Sequence, residues 1–163
     1  MSDAFTTTPA KVLKAGINNV RFGARTTIVD PCNLYGCELG DDVFIGPFVE
    51  IQKDVQVGAR TRVQSHAFIC ELVTIGTDCF VGHGVVFIND TFANGGPARG
   101  DKSLWRSTVI GNRVSLGSNA TILPVRICDD VVIGAGAVVT KDISEPGIYA
   151  GSPARKLRPL AKR

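Results

Sequence analysis

Residues 39–86 repeat with an unbroken period of six, a pattern that few folds accept. Each unit opens on an aliphatic residue: Leu39, Ile45, Ile51, Val57, Val63, Ile69, Ile75 and Val81. Gly stands second in five of the eight units. The fifth place is always small or β-branched, from Val43 through Thr61, Ala67 and Cys79 to Val85. A short fixed period marks a solenoid, whose coils bury their apolar faces only by stacking on one another. An amphipathic helix is excluded, because six-residue spacing drifts off one face of a helix with about 3.6 residues per turn.

The period also dictates the coil. Alternation along an extended chain sends places one and five inward and places two and six outward, leaving three and four as corners. Three units then close a triangular coil of 18 residues. Equivalent residues of successive coils lie roughly 4.8 Å apart along the axis. The 163 residues are enough for one domain with a core, read as a single solenoid over 1–163. A net charge of +3 speaks against a nucleic-acid partner. The most apolar run, 131–139, is far too short to span a bilayer, so no membrane association is expected. Five cysteines form no CxxC pair and no metal-finger spacing, and no metal site is expected. Their odd number, with no signal peptide in view, fits a reducing, cytoplasmic setting.

Residues 1–30 carry no clear period and read as an N-terminal arm. Residues 32–38 form a degenerate unit with Cys37 in the fifth place. The repeat breaks after Phe87, and the next opening aliphatic is Ile110, so an insertion leaves and rejoins the coil over 91–107. It holds Asn94-Gly95-Gly96-Pro97 and Trp105. Long loops in compact domains are more often functional than not. The repeat resumes at Ile110, Leu116, Ile122, Ile127, Ile133 and Val139, with one residue deleted beside Pro124. The C-terminal segment 146–163 has five basic residues and no acidic one.

Units such as Ile45-Gly46-Pro47-Phe48-Val49-Glu50 and Ile133-Gly134-Ala135-Gly136-Ala137-Val138 resemble the left-handed parallel β-helix of the hexapeptide-repeat acyltransferases. The resemblance runs from about Asn33 to Arg158, and Tyr149-Ala150-Gly151-Ser152-Pro153-Ala154-Arg155 is similar to the family's C-terminal signature. Cys70-Glu71-Leu72, Gly82-His83-Gly84 and Phe87-Ile88-Asn89-Asp90 are similar to the sugar-nucleotide 3-N-acetyltransferases. Those enzymes acetylate an amino group on a UDP- or dTDP-linked sugar, for cell-surface polysaccharides such as lipopolysaccharide. The resemblance therefore implies an all-β, left-handed β-helix, acetyl-CoA as acyl donor, and a homotrimer with active sites between subunits. Many relatives carry Pro after the aromatic residue of the inserted loop; here Ala93 stands there, leaving the sugar open.

Counting by 18 sorts the polar corners onto three edges. The first carries Lys53, Glu71, Asn89 and, beyond the insertion, Lys141. The second carries Pro47, Ser65, His83, Ser118 and Ala135, with His66 as a fourth-place neighbour. The third carries Asp42, Arg60 and Asp78, whose alternating charges read as structural. On the first edge a carboxylate and an amide, Glu71 and Asn89, can hold an amine and orient its lone pair. A Lys53–Glu71 ion pair is the plainer alternative. On the second edge His83 is a natural base near neutral pH, and His66 is a substrate-binding candidate.

Adjacent corners of one coil are up to roughly 20 Å of extended chain apart. His83 and Asn89 are thus expected to meet only across an interface between subunits. Small corners at Ser118 and Ala135 leave a groove for the pantetheine arm of coenzyme A, with Lys141, Arg155, Lys156 and Arg158 toward its phosphates. On the insertion, Phe92 and Trp105 can pack on the sugar or base, and Asp90 can accept a sugar hydroxyl. The expected reaction is acetyl-CoA-dependent N-acetylation of a nucleotide-linked amino sugar. The alternatives are O-acetylation of a sugar or small alcohol, and a non-catalytic binding solenoid.

Overall fold

The computed structural model describes residues 14–161. The chain winds as a parallel β-helix of triangular cross-section, left-handed against the usual right-handed crossover. Its three faces are sheets of seven, six and eight strands. The seven-stranded face runs from Ile17–Asn18 through Glu50–Ile51 and Phe68–Ile69 to Val138–Val139. Up to the C-terminal hairpin, consecutive strands in sequence lie on different faces, and each pairs in parallel with the strand one coil away, as Phe68 with Glu50 and Ile69 with Ile51.

The inward places behave as the period requires. Every opening residue from Leu39 to Val81 and every fifth-place residue from Val43 to Val85 is buried. Burying one such aliphatic side chain contributes about 1.5–3 kcal/mol. The one inward hydroxyl in this run, Thr61, donates to the Gly76 carbonyl at 2.9 Å and accepts the Cys79 backbone N–H at 3.1 Å. Its hydrogen-bonding demand is therefore met inside the core.

The corners carry the backbone strain. The fourth place is left-handed at Asp42, Phe48, Asp54, Arg60, His66, Leu72 and Asp78, with φ between 56° and 70°. Such a conformation costs a non-glycine residue about 1–2 kcal/mol. It is held here because the carbonyls and N–H groups on both sides are locked into the ladders. At the second place, coils approach too closely for a side chain. A Cβ on Gly76 would sit 2.5 Å from the Gly111 carbonyl oxygen, and one on Gly117 the same distance from the Ala135 nitrogen.

Three boundaries differ from the sequence expectation. The stretch read as an arm already contains strands at Ile17–Asn18, Arg21–Phe22 and Thr27–Ile28, one on each face. Their outward residues and the glycines between them hide the period, since little of this coil is buried. The arm's first thirteen residues lie outside those described. In the degenerate unit, Leu34 takes the opening place opposite Ile51, so the unit is one residue short and Gly36, at φ 61°, turns its corner. At the other end the chain does not simply fade. Gly147–Ala150 adds a parallel strand to Val131–Ile133, and Arg155–Arg158 folds back on it antiparallel. That hairpin supplies the last two strands of the eight-stranded sheet and makes the short, basic Arg155–Arg158 strand its edge.

Candidate active site

The insertion begins where the regular stack ends. Phe87 is fully buried, and the chain rejoins the coil at Thr108, which pairs with Val73. Between them the backbone is tied by Asp90, whose two carboxylate oxygens accept the N–H groups of Phe92 at 2.9 Å and Ala98 at 2.7 Å. Asp101 caps a single 3-10 turn, Lys102–Leu104, by accepting from the Ser103 N–H at 3.0 Å. The Arg106 N–H returns to the Asn89 carbonyl at 2.9 Å. Asp90 thus organises the loop, and a sugar hydroxyl would have to share its carboxylate with two amides. Phe92 is exposed and Trp105 half-buried.

Glu71 and Asn89 stand one coil apart at the mouth of this loop. The Asn89 side-chain amide donates to the Glu71 backbone carbonyl at 3.3 Å. The Glu71 carboxylate is ion-paired with Lys102, which also lies 5.2 Å from the centre of the Trp105 ring. The Lys53–Glu71 pair does not form; Lys53 is nearer Asp54, at 3.9 Å. The loop thus supplies the counter-ion, and Glu71 keeps only 13% of its side chain exposed. Tyr35, half-buried, belongs to the same neighbourhood. Burial pushes its phenol pKa up, and the nearby carboxylates of Glu50 and Glu71 push the same way.

His83 and His66 are exposed on the second edge, as corner residues should be. His83 Nδ1 lies 2.8 Å from Ser65 Oγ, which fixes the ring and leaves Nε2 directed away. His66 stacks on Phe48 with ring centres 4.9 Å apart and planes 17° from parallel. His83 follows the strand Phe80–Val81 on the eight-stranded face, whereas Asn89 follows Val86–Phe87 on the seven-stranded face. The two residues therefore occupy different edges, and one chain does not bring them together.

Further along the axis, Ser118 is half-buried and Ala135 exposed. Lys141, Arg155 and Lys156 line one surface pocket of about 320 Å³ with Tyr149 and Ala154, whereas Arg158 is exposed outside it. Lys156 is engaged with Glu145 at 2.7 Å, and Tyr149 donates to the Glu145 carbonyl at 2.9 Å. An anion in this pocket would compete with Glu145 for Lys156 and would also face Asp142, which lines the pocket and accepts the Arg126 N–H at 2.8 Å. The cysteines offer no nucleophile. All five are free thiols, burial pushes Cys70 up to about 12, and it raises Cys79 as well.

The third edge is the structural one. Arg25 pairs with Asp42, Arg60 with Asp78, and Arg113 with Asp130, at 2.6 to 2.8 Å. Each pair bridges two coils.

Comparison with known proteins agrees with this architecture. The model of the bacterial transferase hexapeptide (six repeats) matches residues 36–71, and that of the hexapeptide repeat of succinyl-transferase matches residues 107–141. Both stretches thus carry the hexapeptide repeat of bacterial transferases. Among curated relatives, the bifunctional protein GlmU of Clavibacter sepedonicus is 38% identical over 124 residues, covering 74% of this chain. GlmU of Acidithiobacillus ferrooxidans is 32% identical over 124 residues and covers 75%. The match spans only 22% and 25% of those two proteins. Among solved structures, a hexapeptide transferase family protein from Anaplasma phagocytophilum superposes with a TM-score of 0.71 at 16% identity, covering 88% of this chain and 80% of the other. A galactoside acetyltransferase in complex with coenzyme A gives 0.65 at 28% identity, covering 76% and 64%. A perosamine N-acetyltransferase variant from Caulobacter crescentus, in complex with coenzyme A and GDP-perosamine, gives 0.63 at 21% identity, covering 88% and 57%.

Proposed function

We propose that this chain transfers an acetyl group from acetyl-CoA to the amino group of a nucleotide-linked amino sugar, working as a homotrimer. The observation that carries the reading is the stacked Glu71–Asn89 pair under the inserted loop, with Lys102 and Trp105 forming a wall. The coenzyme A complexes of the galactoside and perosamine acetyltransferases support acetyl-CoA as donor. The perosamine enzyme also binds a nucleotide-linked amino sugar, in its case GDP-linked. The separation of the edges supports an assembly in which His83 of one subunit faces Asn89 and Glu71 of the next.

The chemistry is direct transfer. The neutral amine attacks the thioester carbonyl, a carbon–nitrogen bond forms, and the carbon–sulfur bond breaks to release coenzyme A. Asn89 and Glu71 orient the amine. His83 takes its proton at Nε2, which requires that Nδ1–H donate to Ser65 Oγ. The developing oxyanion needs a donor, and removing such a donor costs about 3 kcal/mol of barrier. The Asn89 amide is one candidate for it. Ser118 and Ala135 leave room for the pantetheine arm, and Lys141 and Arg155 face its phosphates.

The test is thiol release on mixing acetyl-CoA with a panel of UDP-, dTDP- and GDP-linked amino sugars. Silence across the panel would sink the reading. Asn89→Ala and Glu71→Ala should each cut turnover far more than Lys53→Ala. A second reading, O-acetylation of a sugar or small alcohol, is favoured by the Ser65–His83 pair, since a hydroxyl depends more on a base than an amine does. It predicts that hydroxyl acceptors are turned over and that His83→Ala abolishes the reaction outright.

A further inference from the structure

On the second edge Phe48 is out of place. It is a bulky aromatic at a corner with φ 61°, where an L residue is strained, and 56% of it is exposed. It contributes nothing to the buried core. One neighbour holds it, the near-parallel ring of His66 one coil on. Phe48 lines a surface pocket of about 260 Å³ together with Pro31, Asn33 and Glu50, and His66 backs it from outside that pocket. Glu50 is fixed there by two donors, Asn33 Nδ2 at 3.2 Å and Gln52 Nε2 at 2.9 Å, one to each oxygen. Those bonds leave each carboxylate oxygen with a free lone pair.

A flat apolar ring beside a positioned carboxylate suits a planar heterocycle that stacks and donates a ring N–H. We infer that Phe48, His66 and Glu50 read the nucleobase of the acceptor, and that they favour keto bases: uracil, thymine or guanine. These bases carry a ring N–H for Glu50 to accept, whereas adenine presents a ring nitrogen acceptor on that edge. The placement fits the proposed reaction, on which the inference rests. Phe48 lies two coils from His83 along the same edge, roughly 10 Å of axial rise. That is about the reach of a ribosyl diphosphate between a base and its sugar. It also lies on the opposite side of His83 from Ser118 and Ala135, so the adenine of coenzyme A is not its occupant.

The experiment is calorimetric titration of the full chain with UDP, dTDP, GDP, ADP and acetyl-CoA. At least one keto nucleoside diphosphate should bind tighter than ADP. Phe48→Ala should weaken it by about tenfold, the usual size of one base–aromatic stack, with acetyl-CoA affinity unchanged. Glu50→Gln should erase the preference over ADP while retaining the stack. Equal affinity for all four diphosphates overturns the inference. So does an unchanged affinity in Phe48→Ala, or a Phe48→Ala chain whose oligomeric mass falls, which would make the ring an interface residue. Failure of acetyl-CoA to bind while a keto nucleotide still does would overturn the transferase reading and leave this inference standing.

Discussion

Two edges of the same prism are built from the same period and put it to opposite uses. On the third edge, Arg25, Asp42, Arg60, Asp78, Arg113 and Asp130 alternate in sign, and every member finds its opposite one coil away. Nothing is left over for a ligand. On the first edge the succession is broken. Lys53 turns to its own neighbour, Glu71 takes its counter-ion from the insertion, and Asn89 donates to a backbone carbonyl. The difference teaches that charge content does not mark the site. An edge closed on itself is scaffold, and an edge whose partners come from outside the repeat is available for chemistry.

That contrast can be broken experimentally. The largest expected effect is on the hinge between stack and loop. Phe87→Ala should cost about 3–5 kcal/mol of stability in chemical denaturation, because the side chain is fully buried in the core of the stack. A loss below about 1 kcal/mol would mean that Phe87 is not packed in the core of the stack. Next comes the site itself. Glu71→Ala and Asn89→Ala should lower kcat by about a hundredfold or more, the scale of a lost transition-state hydrogen bond, with little change in melting temperature. Arg60→Ala should do the reverse, leaving kcat intact.

Smaller effects sharpen the comparison. Lys102→Ala frees the Glu71 carboxylate and should change the acceptor KM by at most about fivefold, the size of a partly exposed ion pair. The KM for acetyl-CoA should stay put; movement of both would place Lys102 elsewhere in the mechanism. The smallest effect belongs to the ladder. Arg25, Arg60 and Asn112 hold the carboxyl pKa values of Asp42, Asp78 and Asp129 below the ordinary range, each as the leading cause for its own partner. A lowered folded-state pKa stabilises the fold above the unfolded value and loses that contribution as pH falls through the folded one. Acid melting curves should therefore converge for the wild type and Arg60→Ala below the ordinary carboxylate range, and they should separate modestly at neutral pH and low salt.

Much of this was legible in the residues. The period placed every inward side chain from Leu39 to Val85 correctly, because burial against a neighbouring coil admits one register only. Counting by 18 found Glu71 and Asn89 side by side and identified the charge ladder. It fails in two physical circumstances. Where a unit is one residue short, as at Leu34, the count slips, and Tyr35 drops out of its true place beside Glu50 and Glu71. Where the chain leaves the repeat, no count applies, so Lys102 and the tie of Asp90 to the loop backbone were invisible. Phe48 was within reach, since it stands 18 residues before His66.

The C-terminal hairpin couples the stability of the last coil to whatever binds beside it. Gly147–Ala150 and Arg155–Arg158 complete the last coil, and Tyr149, Arg155 and Lys156 from them wall the pocket beside Lys141. Folding of the terminal coil and assembly of this pocket are thus one event. Any species held there acts as a thermodynamic brake on fraying, raising the unfolding temperature in proportion to the logarithm of its concentration. A solenoid frays from its ends, so acetyl-CoA would protect the amides of that coil from hydrogen exchange before those at the middle of the stack.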